Sequence, residues 1–325
     1  MKKVLAWVLC LMLTLGMVSV ASAEFAPVNK DDLKVGFVFI GDVSDKGYTY
    51  AHYQGLLDMQ QNLGLSDDQI LIKTNVSEDS SCETALRELV EAGCQIIFGN
   101  SYGYMNYMAE LADEYPEVIF SHCSGYMSND TNFNNYFGAI YQARYLAGIA
   151  AGLKTQTNKI GFVAAMQTPE VIGGFDAFAL GVQSVNPDAV VYVKYTNSWY
   201  DATLERQTAD ALLDLGCDVI GQHCDTANPQ IAAQERGVWG CGYNADMTVD
   251  APKAHLTAPV WHWGAVYTKE VQEVLDGTWK PEKIFLTMAD GLVDLSPLSE
   301  NCAEGTAECV ELADELMMSG EWDVF

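Results

Sequence analysis

Lys34-Val35-Gly36-Phe37-Val38 returns 125 residues later as Lys159-Ile160-Gly161-Phe162-Val163. The likeness continues downstream. Ile70-Leu71-Ile72-Lys73-Thr74-Asn75 is echoed by Val190-Val191-Tyr192-Val193-Lys194-Tyr195-Thr196-Asn197, each an apolar run ending in Lys and polar residues. Leu89-Val90-Glu91-Ala92-Gly93-Cys94-Gln95-Ile96-Ile97 returns as Leu212-Leu213-Asp214-Leu215-Gly216-Cys217-Asp218-Val219-Ile220. Three matched segments in one order, at a nearly constant offset, predict two similar lobes. Two lobes imply a cleft, and a cleft can hold a small molecule.

Within each copy, apolar runs rich in β-branched and aromatic residues alternate with stretches of helical period. The first copy reads as strands at 33–40, 69–73, 95–98 and 118–121, with helices at 48–63, 80–92 and 104–114 between them. The second reads as strands at 159–164, 189–194, 219–222 and 238–242. Such alternation predicts an α/β protein whose parallel sheets are covered on both faces. The apolar segment 139–153 is interrupted by Arg144 and too short to span a membrane, so it reads as a packed helix. An extended run at 255–262 crosses back to place a helix at 264–275 on the first lobe, and the acidic residues 300–325 form a terminal helix. The expected division is 24–138 plus 262–280 for the N-terminal lobe and 139–261 plus 281–325 for the C-terminal lobe.

Residues 1–23 have the plan of a secretory signal peptide: Lys2 and Lys3, an apolar stretch, and Ala21-Ser22-Ala23 as the processing site. Export into a periplasm or extracellular space is expected. Cys10 lies behind Trp7-Val8-Leu9 without the small residue that precedes a lipid-modified cysteine, which argues against a lipid anchor. Loss of Lys2 and Lys3 takes the 17 basic residues to 15 against 44 acidic ones, a formal charge of −29. That balance opposes nucleic-acid binding, which needs clustered Lys and Arg. Eight cysteines remain, and Cys302 with Cys309 flank a short loop that would suit a local bridge.

In open parallel sheets, ligands bind beyond the carboxyl ends of the strands. The loops at those ends carry Asp45 and Tyr48, Asn75, Ser101 and Tyr102, Glu170, Trp199, Asp225 and Asn244. Rings offer stacking faces, while amides and carboxylates offer directional hydrogen bonds, a combination suited to a flat heteroaromatic base. A rival reading comes from Gly99-Asn100-Ser101-Tyr102-Gly103, a G-x-S-x-G pattern between a strand and a helix, with Asp225 and His255 or His262 in the order a serine hydrolase would need. The matching loop of the second lobe, Gln222-His223-Cys224-Asp225, instead makes Ser101 one wall of a cleft. The sequence has no H-E-x-x-H, no paired C-x-x-C and no P-loop, so neither a metal nor a cofactor has a visible anchor.

The run from Lys34-Val35-Gly36-Phe37 through Asp45-Lys46-Gly47-Tyr48-Thr49-Tyr50-Ala51-His52 resembles the basic membrane protein family, extracytoplasmic binding components of ABC importers. So do Ser101-Tyr102-Gly103-Tyr104-Met105, Pro169-Glu170-Val171-Ile172, Gln183-Ser184-Val185-Asn186-Pro187-Asp188 and Gly242-Tyr243-Asn244-Ala245-Asp246-Met247. The resemblance implies a type I periplasmic-binding-protein fold with two Rossmann-like lobes, a purine base or nucleoside as ligand, and permease subunits as partners of a monomer. It implies binding with lobe closure rather than bond making. Tyr48 stands where the similar branch places a stacking Trp. Glu170 and Asp225 would read the base edge, and Trp199 would close against a ring face or sugar. Asn244 stands where the family carries an Asp for the ribose hydroxyls, which points towards a free base.

Overall fold

The structure is a computed structural model and describes residues 25–325; the leader at 1–23 lies outside them. The first lobe runs β1 (Val35–Val38), α1 (Tyr48–Leu63), β2 (Ile70–Lys73), α2 (Ser80–Glu91), β3 (Ile96–Gly99), α3 (Met105–Glu114), β4 (Ile119–Cys123) and β5 (Phe133–Gly138). The chain then crosses at Ala139 into α4 (Ile140–Lys154). The second lobe follows as β6 (Lys159–Ala164), α5 (Pro169–Val185), β7 (Val190–Tyr195), α6 (Ala202–Asp214), β8 (Val219–His223), α7 (Asn228–Glu235), β9 (Trp239–Cys241) and β10 (His255–Thr257). The remainder is β11 (Pro259–Trp261), α8 (Gly264–Asp276), β12 (Lys283–Leu286), β13 (Val293–Leu295) and α9 (Thr306–Met318).

The first sheet has the order β2-β1-β3-β4-β5-β12 and the second β7-β6-β8-β9-β10, both parallel. The sequence repeats fall on equivalent strands: β1 with β6 inside, β2 with β7 at the edge, β3 with β8 beyond. Burial follows position. Every residue of β1 and β3 is buried, as two-sided cover requires, whereas β7 alternates exposed and half-buried residues along its open edge. Helix α4 packs so closely on α5 that a Cβ on Gly148 would fall 2.1 Å from the Phe178 carbonyl oxygen. The small residues of this segment therefore serve helix contact, and no helix of the described residues is long and apolar enough to cross a membrane.

Helix α8 docks on the first lobe as expected, burying Val266, Tyr267 and Val271 in the same core as Phe37 and Phe98. Two strands depart from the sequence reading. β5 was not anticipated, because Asn134 and Asn135 interrupt its apolar pattern, yet both are buried with their amides hydrogen-bonded. β12, expected in the second lobe, pairs with β5 in the first sheet from Lys283 to Leu286. β11 and β13 form a separate antiparallel pair near the crossings. The bridge considered for Cys302 and Cys309 is not formed. All eight cysteines of the described residues are free thiols, Cys302 donating to the Leu256 carbonyl at 3.4 Å while Cys309 packs against a different core.

Glu270 on α8 is fully buried and ties the helix to the first sheet. Its carboxylate accepts from Ser121 Oγ at 2.8 Å, Asn134 Nδ2 at 2.9 Å and Trp279 Nε1 at 3.0 Å. Burial pushes its pKa up to about 7 against the pull of those three donors. The folded state thus holds a proton that the unfolded chain releases at lower pH, so this group's contribution to stability falls as pH rises from the ordinary carboxylate range through about 7. In Glu270→Gln, one amide oxygen can accept from Asn134 and Trp279 while the NH2 donates to Ser121. The variant is expected to melt with the wild type near pH 5 and about 2–6 °C above it near pH 8. Parallel melting curves across that range would contradict this account.

Candidate functional site

The ends of β1, β3 and β4 meet the ends of β6, β7, β8 and β9 across the cleft. Between them lies a narrow cavity, about 20 Å³, lined by Ile40, Tyr48, Asn100, Ser101, Tyr102 and Ser124 from the first lobe and by Glu170, Trp199, His223, Asp225 and Tyr243 from the second. These are the crevices where strand order reverses in each sheet, at β1/β3 and β6/β8. The lobes touch beside the cavity. Gly47 lies so near Asp225 that an added Cβ would sit 1.8 Å from the Asp225 carbonyl oxygen, and Lys46 Nζ reaches Asp250 Oδ1 at 2.7 Å.

Each lining group is held from behind. Tyr48 donates its hydroxyl to the Asn100 carbonyl at 2.6 Å, leaving its ring as wall. Asn100 is 1% exposed and accepts from the Ile40 amide at 2.9 Å, while its Nδ2 has no protein partner. Thr168 caps α5 through the Val171 amide and Pro169 occupies the first turn, which sets Glu170 at the helix start. Glu170 Oε1 lies 3.3 Å from His223 Nε2. Burial lowers the His223 pKa, and Glu170 opposes that shift.

Asp225 sits in a surrounding that disfavours its charge. Burial first, then the carboxylates of Asp45, Glu205 and Glu170, hold its pKa well above the usual range, with the Asn244 amide pulling the other way. Asp45 and Glu205 are themselves raised by burial. Their hydrogen bonds are local. Asp45 accepts from the Gly47, Thr49 and Tyr50 amides at 2.8, 2.9 and 2.9 Å, capping α1. Glu205 accepts from the Thr226 amide and hydroxyl at 3.1 and 2.5 Å.

Six residues singled out in the sequence converge on the cavity: Tyr48, Ser101, Tyr102, Glu170, Trp199 and Asp225. Three do not line it. Asp45 is engaged as the helix cap. Asn75 is exposed in the left-handed region at φ 56°, its amide bonded to the Gly41 carbonyl, and its repeat mate Asn197 does the same at φ 55° with Ala165. Asparagine tolerates that conformation, which accounts for both. Asn244, 1% exposed at φ 70° and without a protein partner for either amide atom, lines a neighbouring cavity with Tyr50, Gln54, Trp261 and His262. His223 and Tyr243 were visible only as members of polar loops, and Ile40 carried no signal beyond its place at a strand end.

The hydrolase arrangement is not assembled. Ser101 Oγ donates to Glu78 Oε1 at 2.6 Å, and the histidine beside it, His122, bonds the Ser101 carbonyl rather than its hydroxyl. His255 pairs with Asp246 and His262 with Asp294, so neither joins Ser101 and Asp225 in a relay.

The family of PnrA-like ABC transporter substrate-binding proteins matches residues 32–320 of this chain. A purine-binding protein of Brucella abortus is 36% identical over 296 residues, covering 91% of this chain and 84% of its own length. A Haloferax volcanii protein provisionally named an ABC transporter glucose-binding protein is 32% identical over 299 residues, covering 92% of this chain and 75% of its own length. Among solved structures, an ABC transporter solute-binding protein of Aeropyrum pernix superposes with a TM-score of 0.79 at 19% identity, over 89% of this chain and 92% of that one. That likeness concerns the fold alone, the two-lobed type I periplasmic-binding-protein plan that the paired sheets display. With a family match across nearly all of the described residues and a cavity where such proteins hold their cargo, the chain belongs to the Bmp family as a substrate-binding protein of an ABC transporter, with a small-molecule ligand and permease subunits as its partners.

Proposed function

We propose that the ligand is a purine, an adenine-like base or its nucleoside, which this exported, monomeric protein captures in the cleft and delivers to its permease. The observation that carries the reading is the composition of the cavity wall. Tyr48 and Trp199 contribute ring surface from opposite lobes, while Glu170, Asp225 and the unpartnered Asn100 Nδ2 contribute edge groups from both. A buried donor left unpaired costs roughly 1–3 kcal/mol, so a ligand acceptor placed against Asn100 Nδ2 would offset a cost of that order.

Capture would work by closure. The ligand favours the closed form only as far as it binds that form better than the open one, and the crossing segments near Ala139 and Pro259 would take up the rotation. Such closure brings Asp45 towards Asp225, which costs electrostatic free energy that ligand contacts must exceed.

Calorimetric titration of refolded, ligand-stripped protein against adenine, adenosine, guanosine and glucose tests the reading. Tight binding of a purine without turnover is expected, and tight glucose binding with no purine response would replace it. Trp199→Ala and Asp225→Ala should each weaken adenine binding by more than about tenfold, 1.4 kcal/mol. Unchanged affinity in both would remove this cavity as the site. Gly47→Ala places a methyl group against the Asp225 carbonyl and should likewise lower affinity at least about tenfold, with small-angle scattering showing no compaction at saturating adenine. Wild-type compaction in that variant would show that closure does not need the contact.

A further inference from the structure

Arg144 on α4 is buried behind the second lobe's half of the cavity, 1% exposed. A buried cation ordinarily has a carboxylate against it. Here Nη1 donates to the Gln222 carbonyl, and Nε and Nη2 have no partner. The charge lies instead against rings, with Cζ 3.7 Å from the Tyr243 centroid and 5.4 Å from that of Phe162. Tyr243 packs on His223 with centroids 4.6 Å apart, and His223 Nε2 meets Glu170. The other His223 nitrogen, Nδ1, is buried without a partner. It borders the same small gap as Arg144 Nε: a Cβ built on Gly174 would lie 3.5 Å from each.

We propose that Arg144 is a positioning residue of the binding site, keeping His223 neutral with its proton on Nε2, so that His223 donates to Glu170 and Glu170 turns its other oxygen to the ligand as an acceptor. The physical reason is the arrangement of charge around one imidazole. Glu170 on α5 faces Nε2 and favours a proton there; the guanidinium on α4 stands on the Nδ1 side and disfavours one. Tyr243, after β9, and Asp225, two residues further along the His223 loop, complete the polar groups around the ring. The lowered pKa of His223, due first to burial and opposed by Glu170, includes a contribution from Arg144 in the same sense as burial.

The consequence for the ligand rests on the purine reading. A carboxylate has acceptors only, so the base edge facing Glu170 must present N–H. That selects a base whose six-membered ring presents N–H, the amino group of adenine or the N1–H of a 6-oxo-purine, over unsubstituted purine, which would leave the buried carboxylate unpaired.

Nuclear magnetic resonance of histidine-labelled protein without ligand, from about pH 5 to pH 8, tests the link directly. The wild type is expected to show His223 as the Nε2–H tautomer, without titration in that range. In Arg144→Met its pKa should rise by about one pH unit or more, and Arg144→Lys should restore the low value. An Nδ1–H tautomer in the wild type, or identical titration in Arg144→Met, overturns the proposal; if the Met variant does not fold, the wild-type tautomer and the Lys variant decide it. Calorimetry adds the ligand arm. Arg144→Met should lose about tenfold of its preference for adenine over unsubstituted purine, whereas a purely structural role would weaken both equally. A wild type that binds no purine would overturn the ligand assignment and leave the resonance result to judge the Arg144–His223 link alone.

Discussion

The backbone of Gly47 comes so close to the Asp225 carbonyl that one added carbon would fall 1.8 Å from its oxygen, and beside this contact two sets of strand-end loops stand face to face. Each sheet alone offers only a shallow crevice where its strand order reverses. Opposed, they make a cavity with rings on both walls and the carboxylates of Glu170 and Asp225 on the second. The contact is backbone against backbone, so it demands a residue without a side chain at 47, whereas the groups that give the chamber its chemistry can vary around it.

Charge is the second constraint. Glu170, Glu205 and Asp225 of the second lobe and Asp45 of the first share one poorly solvated region, and each neighbour raises the cost of the Asp225 charge. The site offsets this with local donors: three amides on Asp45, the Thr226 amide and hydroxyl on Glu205, and His223 on Glu170. Asp225 is left with the least compensation, which makes it the group with most to gain from a donor on a ligand. The buried Arg144 lies behind this acidic wall and spreads its charge over rings rather than neutralising one carboxylate.

The site also has a continuous mechanical connection to the crossing segment. Tyr48 meets His52 edge-on with centroids 4.4 Å apart, His52 stacks on Trp263 at 4.4 Å, and Trp263 stacks on Trp261 at 4.4 Å. Trp261 ends β11, next to the point where the chain passes between lobes. A ring that forms the ligand wall is thus packed, through two others, against the segment about which the lobes would turn.

The repeats, the strand–helix alternation and the loops that carry the site were legible in the sequence because they arise from local periodicity and from the rule that ligands gather at strand ends. The same local reading could not see that the Asn134 amide would find Glu270 inside the first lobe, or that β12 would join β5, since both depend on partners more than a hundred residues away. Residue type nominated Tyr48, Glu170, Trp199 and Asp225, which line the cavity, yet equally nominated Asp45 and Asn75, which do not. Asp45 spends its carboxylate on the amides at the start of α1, and Asn75 is exposed in a left-handed turn that its backbone conformation explains. Arg144, read from sequence as a break in an apolar helix, became a buried charge behind the cavity only through packing. The sequence alone therefore determined the architecture and the neighbourhood of the site, because those follow from pattern; the tertiary structure decided which polar groups remain available within it, because hydrogen bonds and burial are settled by neighbours distant along the chain.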